Sequence, residues 1–279
     1  MRKSYKNQSP NAKSMSNNKF IAMNKIDILG VKIDKLTLSQ VLNKIDQFLK
    51  SDKQHYIATI NPEMIVEAQG DEEFKKILNN ADISVADGAG ILRAAKLNGA
   101  SLEKISGVDL IAEICGADFI RNKKIYLLGA GDRIAEKATN VLKKKYSGLN
   151  IVGAEAGIQY PISNIQYLPE LEKQNIKLIN RINKAKPNIL FVAFGAPKQE
   201  KWIAENLKKM PSVKLAMGVG GAFDFISGRV KRAPKFIQKL GLEWLWRLFV
   251  EPWRMKRIYN ATVKFSWLVL KSKILKLIK

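Results

Sequence analysis

The chain has 279 residues, 46% of them hydrophobic and 26% charged, which suffices for one large or two modest cored domains and excludes wholesale disorder. A single cysteine, Cys115, and a single histidine, His55, exclude an internal disulfide and a multi-histidine metal site. The net charge of +23 is uneven, with +6 in residues 1–25 and +12 in residues 229–279, leaving +5 for the body; two basic ends point to an anionic partner, nucleic acid or an acidic membrane leaflet.

In chain order, residues 1–25 are Ser/Asn/Lys-rich without an apolar core and read as a disordered basic tail. No apolar h-region follows the basic residues, so the tail is not a signal peptide. Residues 26–228 then alternate in a βα rhythm. "HYIATI" predicts a buried strand with His55 as a structural residue at its start. Asn61 follows as a helix N-cap, Pro62 suits the first helical position, and Glu63 favours the positive end of the helix dipole. "ADISVAD" predicts the next strand, ending at Asp87 and Gly88. Cys115 falls on the apolar face of a helix and reads as core.

"KKIYLLGAG", "LNIVGAEAG", "NILFVAFGAP" and "VKLAMGVGG" predict further buried strands. Helical patterns such as "DRIAEKATNVLKKKY" and "NIQYLPELEKQNIKLINRINKAK" lie between them. The pattern predicts an α/β domain over residues 26–228, with a mostly parallel, Rossmann-like sheet covered by helices. Residues 229–279 predict a basic, Trp-rich helical appendage that holds four of the five tryptophans. Its longest late uncharged run, "FSWLVL", is far short of the ~20 apolar residues a membrane span needs. Aromatic and aliphatic groups interleaved with cations fit a helix lying on a membrane. Lys271, Lys273 and Lys276 do not share one helical face, however, so tryptophans packed onto the body are the competing reading. A chain ending near residue 228 is expected to fold.

Ligands of such sheets bind beyond the carboxyl ends of the strands, so strand-end residues are the site candidates. Asp87 heads them: a partly buried carboxylate in a cleft can serve as general base toward a hydroxyl, against the plainer role of a turn-forming cap. The Gly129-Ala-Gly131 turn suits the approach of backbone N–H groups to a phosphate. With Glu155 as a ribose-binding acid, that turn leaves a nicotinamide-dependent oxidoreductase open. Gln199 sits in the first turn of a helix after a Gly-Ala-Pro loop, either functional or simply exposed. Asp224, after the Gly218–Gly221 loop, is equally ambiguous. No Asp-x-Asp metal clamp, Walker lysine-serine pair or Gly-x-Ser-x-Gly elbow is present.

"INPEM", "VADGAGI", "SGVDL", "GAGDRIAEKA", "FVAFGAPKQEKW" and "GVGGAFDFISGRVKRAPKFIQKLGLEWLWRLFVEPWR" occur in this order. The set resembles the WecG/TagA/CpsF family of bacterial glycosyltransferases over about residues 26–260, and most closely its TagA branch. The resemblance implies inverting transfer of N-acetylmannosamine from a UDP donor to GlcNAc-diphospho-undecaprenol, in the synthesis of the wall teichoic acid linkage unit. It places the family's catalytic aspartate at Asp87, with Thr59 and Asn61 beside it. It also implies substrate contacts by Gly129, Gly131, Gln199, Gly220, Gly221 and Asp224, and by Arg247, Arg254 and Arg257 of the appendage. No metal or other cofactor is implied. Lys104 stands where the family often has an arginine and is given no catalytic role.

The partners so implied are a UDP-sugar, a lipid-linked GlcNAc acceptor and an anionic membrane surface rather than nucleic acid, and a homo-oligomer is compatible with them. The protein would be cytoplasmic and peripheral on the inner face of the cell membrane. The donor sugar stays open within the family, among N-acetylmannosamine, its uronic acid, glucose and galactose. Outside it, the oxidoreductase and a non-enzymatic basic adaptor for membranes or nucleic acid are the rivals.

Overall fold

A computed structural model describes residues 25–158 and 168–278. The predicted tail, apart from Lys25, and the side chain of Lys276 lie outside the described residues. The chain first forms an antiparallel hairpin of β1 (Lys25–Ile28) and β2 (Val31–Asp34). Leu29 and Gly30 turn it at positive φ, and the Gly30 N–H donates to Asp27 Oδ1 at 2.8 Å. This hairpin is not among the predicted elements.

Six strands follow: β3 (His55–Ile60), β4 (Ile83–Ala86), β5 (Lys124–Gly129), β6 (Asn150–Glu155), β7 (Ile189–Ala193) and β8 (Leu215–Gly218). They are the six predicted strands, and they form one all-parallel sheet in the order β4-β3-β8-β7-β5-β6. β3 and β7 are buried along their whole length, as strands covered on both faces must be. Alternation assigns their side chains to two cores. Tyr56, Ala58, Ile60, Leu190 and Val192 pack on one side, and Ile57, Ile189 and Phe191 on the other, with Met217 of β8.

The helices bury the faces their sequences dictate. Leu38–Lys50 opens with a reciprocal Thr37–Gln40 capping box and buries Val41, Ile45 and Leu49, four residues apart. Cys115 is buried in the helix Gly107–Gly116, and burial pushes its thiol up to about 12. His55 stacks on Phe48 with ring centroids 3.8 Å apart and is held by Ser51 and Asp82, the structural role expected of it.

After residue 228 come short helices at Lys235–Lys239, Glu243–Val250 and Met255–Tyr259, then a π-helical stretch, Asn260–Lys264. The long helix Phe265–Ile278 closes the segment and buries Phe265 and Val269 in the core. Among the described residues, no helix is long and apolar enough to cross a membrane.

The glycine at the end of β5 shows how tightly the sheet edge is packed. Gly129 has φ +110°, and a Cβ there would lie 2.7 Å from the Ala193 carbonyl carbon. Gly195 is also at positive φ but would meet nothing within 4 Å. Gly129→Ala is therefore expected to cost about 1–3 kcal/mol, and calorimetry should record a fall in Tm of roughly 3–10 °C. Gly195→Ala should cost less, since only the backbone conformation opposes it.

Candidate active site

The carboxyl ends of β4, β3, β8 and β7, four neighbours in the sheet, deliver the candidate residues to one place. At the end of β3 the Thr59 hydroxyl donates to the Gly218 carbonyl at 3.1 Å, tying β3 to β8. Asn61 Oδ1 accepts from the Met64 N–H at 3.0 Å and caps the helix Pro62–Glu67, as its position in the sequence predicts. Asp87 follows β4, and its N–H donates to the Ile60 carbonyl at 2.7 Å. Residues 104–105 then run alongside: Lys104 pairs with Ala86 as an isolated parallel bridge, and Ile105 N–H donates to the Ala86 carbonyl. This return sets Lys104 beside Asp87.

Burial pushes the Asp87 carboxyl up to about 6. Lys104 and the Gly107 N–H pull it back, while Glu243 and Asp109 push it further up. Both of those acids are themselves engaged. Glu243 pairs with Lys104 at 3.3 Å and with Arg232 at 3.2 Å. Asp109 accepts two bonds from Arg232, at 2.6 and 2.9 Å. Burial opposes ionisation of Asp109, but Arg232 and Ser106 outweigh it and hold that carboxyl below its usual range.

Gln199 is not exposed; only 2% of its surface is accessible. Its Oε1 accepts from the N–H groups of Gly195, at 3.1 Å, and Gly220, at 2.9 Å, so one amide fixes the loops after both β7 and β8. Its Nε2 donates to Glu200 Oε1 at 2.6 Å. Glu200 is wholly buried, and burial raises its carboxyl to about 7 although the Gln199 bond opposes this. Its Oε2 and the Tyr56 hydroxyl are buried without a hydrogen-bond partner among the described residues. Glu200 is not among the residues the sequence marks; its place next to Gln199 in "KQEKW" is its one signal there.

The arginines arrive from the C-terminal segment and are bridged by carboxylates. Glu251, only 4% exposed, holds Arg247 at 3.1 Å and Arg254 at 2.8 Å. Arg257 donates to both oxygens of Glu63, at 2.7 and 2.9 Å. The guanidinium of Arg247 lies 4.6 Å from the Phe225 ring centroid. Burial, with Arg254 and Arg257 nearby, presses its pKa down against the pull of Glu251. Its Nη2 is buried with no hydrogen-bond partner among the described residues, facing Gly221, where a Cβ would come within 3.3 Å. An unsatisfied buried donor at a glycine turn is suited to a ligand oxygen.

These groups surround a cavity of about 220 Å³. Thr59, Asn61 and Asp87 line it from β3 and β4; Gln199, Gly220 and Gly221 from the loops after β7 and β8; and Arg247, Arg254 and Arg257 from the C-terminal segment. Gly129, Gly131 and Asp224 do not line it. Asp224 pairs with Arg229 at 3.1 Å, and Arg229 in turn lies against Gly131. Glu155, the imagined ribose ligand, is engaged by Arg181 at 2.6 Å and by the Tyr126 hydroxyl. A second, more apolar cavity of about 370 Å³ meets the first at Asp87, Pro62, Trp244 and Ala261. Among the described residues, no group of three or more His, Cys, Asp or Glu side chains is placed to hold a metal ion.

The position of Lys104 has a measurable consequence. Removing its positive charge disfavours the Asp87 anion, so in Lys104→Gln the carboxyl should titrate above the value of about 6 expected for the native chain. Carboxyl ¹³C NMR of the two proteins reads this directly, and an unchanged midpoint would remove Lys104 from the electrostatics of Asp87.

Comparison with known proteins accords with this geometry. The model of the glycosyl transferase WecG/TagA/CpsF family matches residues 26–278. The chain is 31% identical over 252 residues, 89% of its length and 93% of theirs, to proteins of Staphylococcus aureus strains MRSA252 and NCTC 8325 / PS 47. Each of those is named N-acetylglucosaminyldiphosphoundecaprenol N-acetyl-beta-D-mannosaminyltransferase. With a match that runs from β1 through the last helix and takes in every residue lining the arginine-rich cavity, the chain belongs to the WecG/TagA/CpsF family of glycosyltransferases.

Proposed function

We propose that this protein transfers N-acetylmannosamine from UDP-N-acetylmannosamine to GlcNAc-diphospho-undecaprenol, with inversion at the anomeric carbon, in synthesis of the wall teichoic acid linkage unit. The observation that carries the reading is a partly buried carboxylate, Asp87, facing a cavity whose other side holds three arginines. The names of the relatives support both the acceptor and the β configuration of the product. A sugar bound α to UDP gives a β product when the acceptor oxygen enters from the opposite face.

In this reading Asp87 accepts the proton of the GlcNAc hydroxyl as that oxygen bonds to the anomeric carbon. The bond to UDP breaks on the far side, and charge grows on the diphosphate. Arg247, with its unsatisfied Nη2, and Arg254 take up that charge with the Gly220–Gly221 turn. Thr59 and Asn61 border the acceptor, and Gln199 fixes the loops on which the donor rests. Gly129, Gly131 and Asp224 lie one step back, where the Arg229–Asp224 pair links the β5 turn to the cavity rim. The C-terminal segment has a second role at the anionic cytoplasmic leaflet, supported by its +12 charge and by Phe249, Trp253 and Trp267, all more than half exposed. The protein would then be peripheral on the inner face of the membrane, with residues 26–228 as the α/β domain and residues 229–279 as the appendage.

A panel of UDP-sugars assayed with a lipid-diphosphate GlcNAc acceptor tests the activity, and transfer of a different sugar from the panel would replace the donor named here. Asp87→Asn is expected to lower kcat by about 10²–10⁴ with UDP affinity nearly intact and Tm no lower, because the amide relieves a buried charge. The native enzyme should show kcat/KM rising with pH through about 6 as Asp87 loses its proton. A variant within a few-fold of the native rate would take the base away from Asp87. With no Asp-x-Asp motif, turnover should also survive EDTA; loss restored by Mg²⁺ or Mn²⁺ would place an ion on the leaving diphosphate.

A further inference from the structure

Asp87 borders both cavities, and the polar one accounts for only one of them. The other, about 370 Å³, lies between the helices Ala89–Leu97 and Phe265–Ile278. Its chemistry changes in steps along the first of these. Ala89, Arg93 and Leu97 all line it and stand four residues apart, so they share one face of that helix. Beginning next to Asp87, the face presents a cation one turn on, about 6 Å away, and an apolar side chain two turns on, about 12 Å away, at 1.5 Å rise per residue. Arg93 pairs with no carboxylate among the described residues; its Nε reaches only the Ala89 carbonyl, at 3.4 Å. Lys104, which also pairs at 3.3 Å with Glu243 of the same lining, adds a second cation at the Asp87 end. Phe265 packs near Gly90 at the start of the helix Ala89–Leu97, and Val269 and Leu270 line the cavity from the same C-terminal helix, whose Lys273 reaches Leu97.

We propose that this cavity holds the acceptor's tail side: the diphosphate between Arg93 and Lys104, and the first isoprene units between Leu97 and Leu270. The proposal rests on the transferase reading above and divides the substrates between the two cavities, the donor diphosphate going to the arginines of the C-terminal segment. The order carboxylate, cation, apolar wall follows a GlcNAc-diphosphoisoprenoid read from its reacting hydroxyl outward, because that hydroxyl and the diphosphate sit at opposite ends of the pyranose. A membrane acyl chain lacks this order, since it would bring hydrocarbon against Asp87 and Lys104. The volume lies near the lower end of small-molecule sites, about 300–1,000 Å³, so the head and the first isoprenes fit and the rest of the chain must leave. Its exit is apolar too: Leu270, Trp267 and Ile274 are each more than half exposed on the same helix. Lys273 bonds the Leu97 carbonyl at 2.6 Å and pins the two helices together there.

The test uses the full chain and a farnesyl diphosphate analogue with a benzophenone at its distal end, which needs no sugar transfer to report. Irradiation followed by peptide mapping should place the label within residues 93–97 and 266–270, with farnesyl diphosphate competing. Label confined to exposed apolar residues elsewhere would overturn the proposal, as would equal labelling of the cavity by a benzophenone fatty acid. A second arm compares GlcNAc-diphosphate acceptors bearing a farnesyl or a methyl group. The native enzyme should prefer the farnesyl acceptor in kcat/KM, and Leu270→Asp should cut that preference about tenfold or more through KM, the equivalent of one lost apolar contact. A preference unchanged in the variant would also overturn it. Cavity labelling by a protein that transfers no sugar to either acceptor would overturn the transferase reading and leave an isoprenyl diphosphate site; sugar transfer without cavity labelling would do the reverse.

Discussion

A carboxylate cannot be withdrawn from water beside an apolar sheet edge without a cation and N–H groups to meet it, and that requirement at Asp87 shapes much of the molecule around it. The cation comes from Lys104, which the return of residues 104–105 along β4 places there. Lys104 in turn is shared with Glu243, Glu243 with Arg232, and Arg232 with Asp109. The chain of charges therefore begins at a strand end of the α/β body and runs into the segment after residue 228. Moving that segment would strip Asp87 of part of its balance, so the electrostatics of this carboxylate and the seating of the C-terminal helices are one problem.

The same coupling recurs on the other side of the cavity. Glu63, placed in the sequence as a favourable charge at a helix N-terminus, also holds Arg257 from a segment 194 residues away. Glu251 spaces Arg247 and Arg254, which would otherwise repel one another in a half-buried cluster. These carboxylates hold the arginines in place, and the Nη2 of Arg247 has no hydrogen-bond partner among the described residues, as the proposed diphosphate contact requires. Preorganised charge of this kind needs little rearrangement when a leaving group forms.

Most of the sheet was legible because buried parallel strands are continuous apolar runs, and "HYIATI", "ILFVA" and their partners cannot be much else. The β1–β2 hairpin was not, since "KIDILGVKID" alternates and lacks the Asn-Gly or Asp-Gly turn that usually marks a hairpin. Asp87, Thr59 and Asn61 could be found as strand-end residues, and the ordered motifs gave the arginines. What a sequence alone does not encode is pairing across long separations. Lys104 with Asp87, Glu251 between two arginines, and Asp224 turned to Arg229 instead of the cavity all depend on where loops return. Gln199 could have been exposed on spacing alone; only the meeting of the β7 and β8 loops buries it.

If Asp87 is the base proposed above, function and stability oppose each other over the same interval of pH. Asp87 and Glu200 both have carboxyls raised by burial, to about 6 and about 7. The folded chain therefore holds more protons at these two groups than the unfolded chain does, from the ordinary carboxylate range up to those values. Their contribution to stability is fully present below that range and is lost as pH rises through the folded values. In the proposed mechanism Asp87 acts as a base only once it has lost its proton, so the proposed base becomes available as this stabilisation disappears. Glu200 faces no such demand: its carboxyl meets Gln199 and the buried Tyr56 region rather than the cavity. Its raised pKa favours the neutral acid, which spares the floor of the site a second buried charge while Gln199 keeps both glycine loops in register.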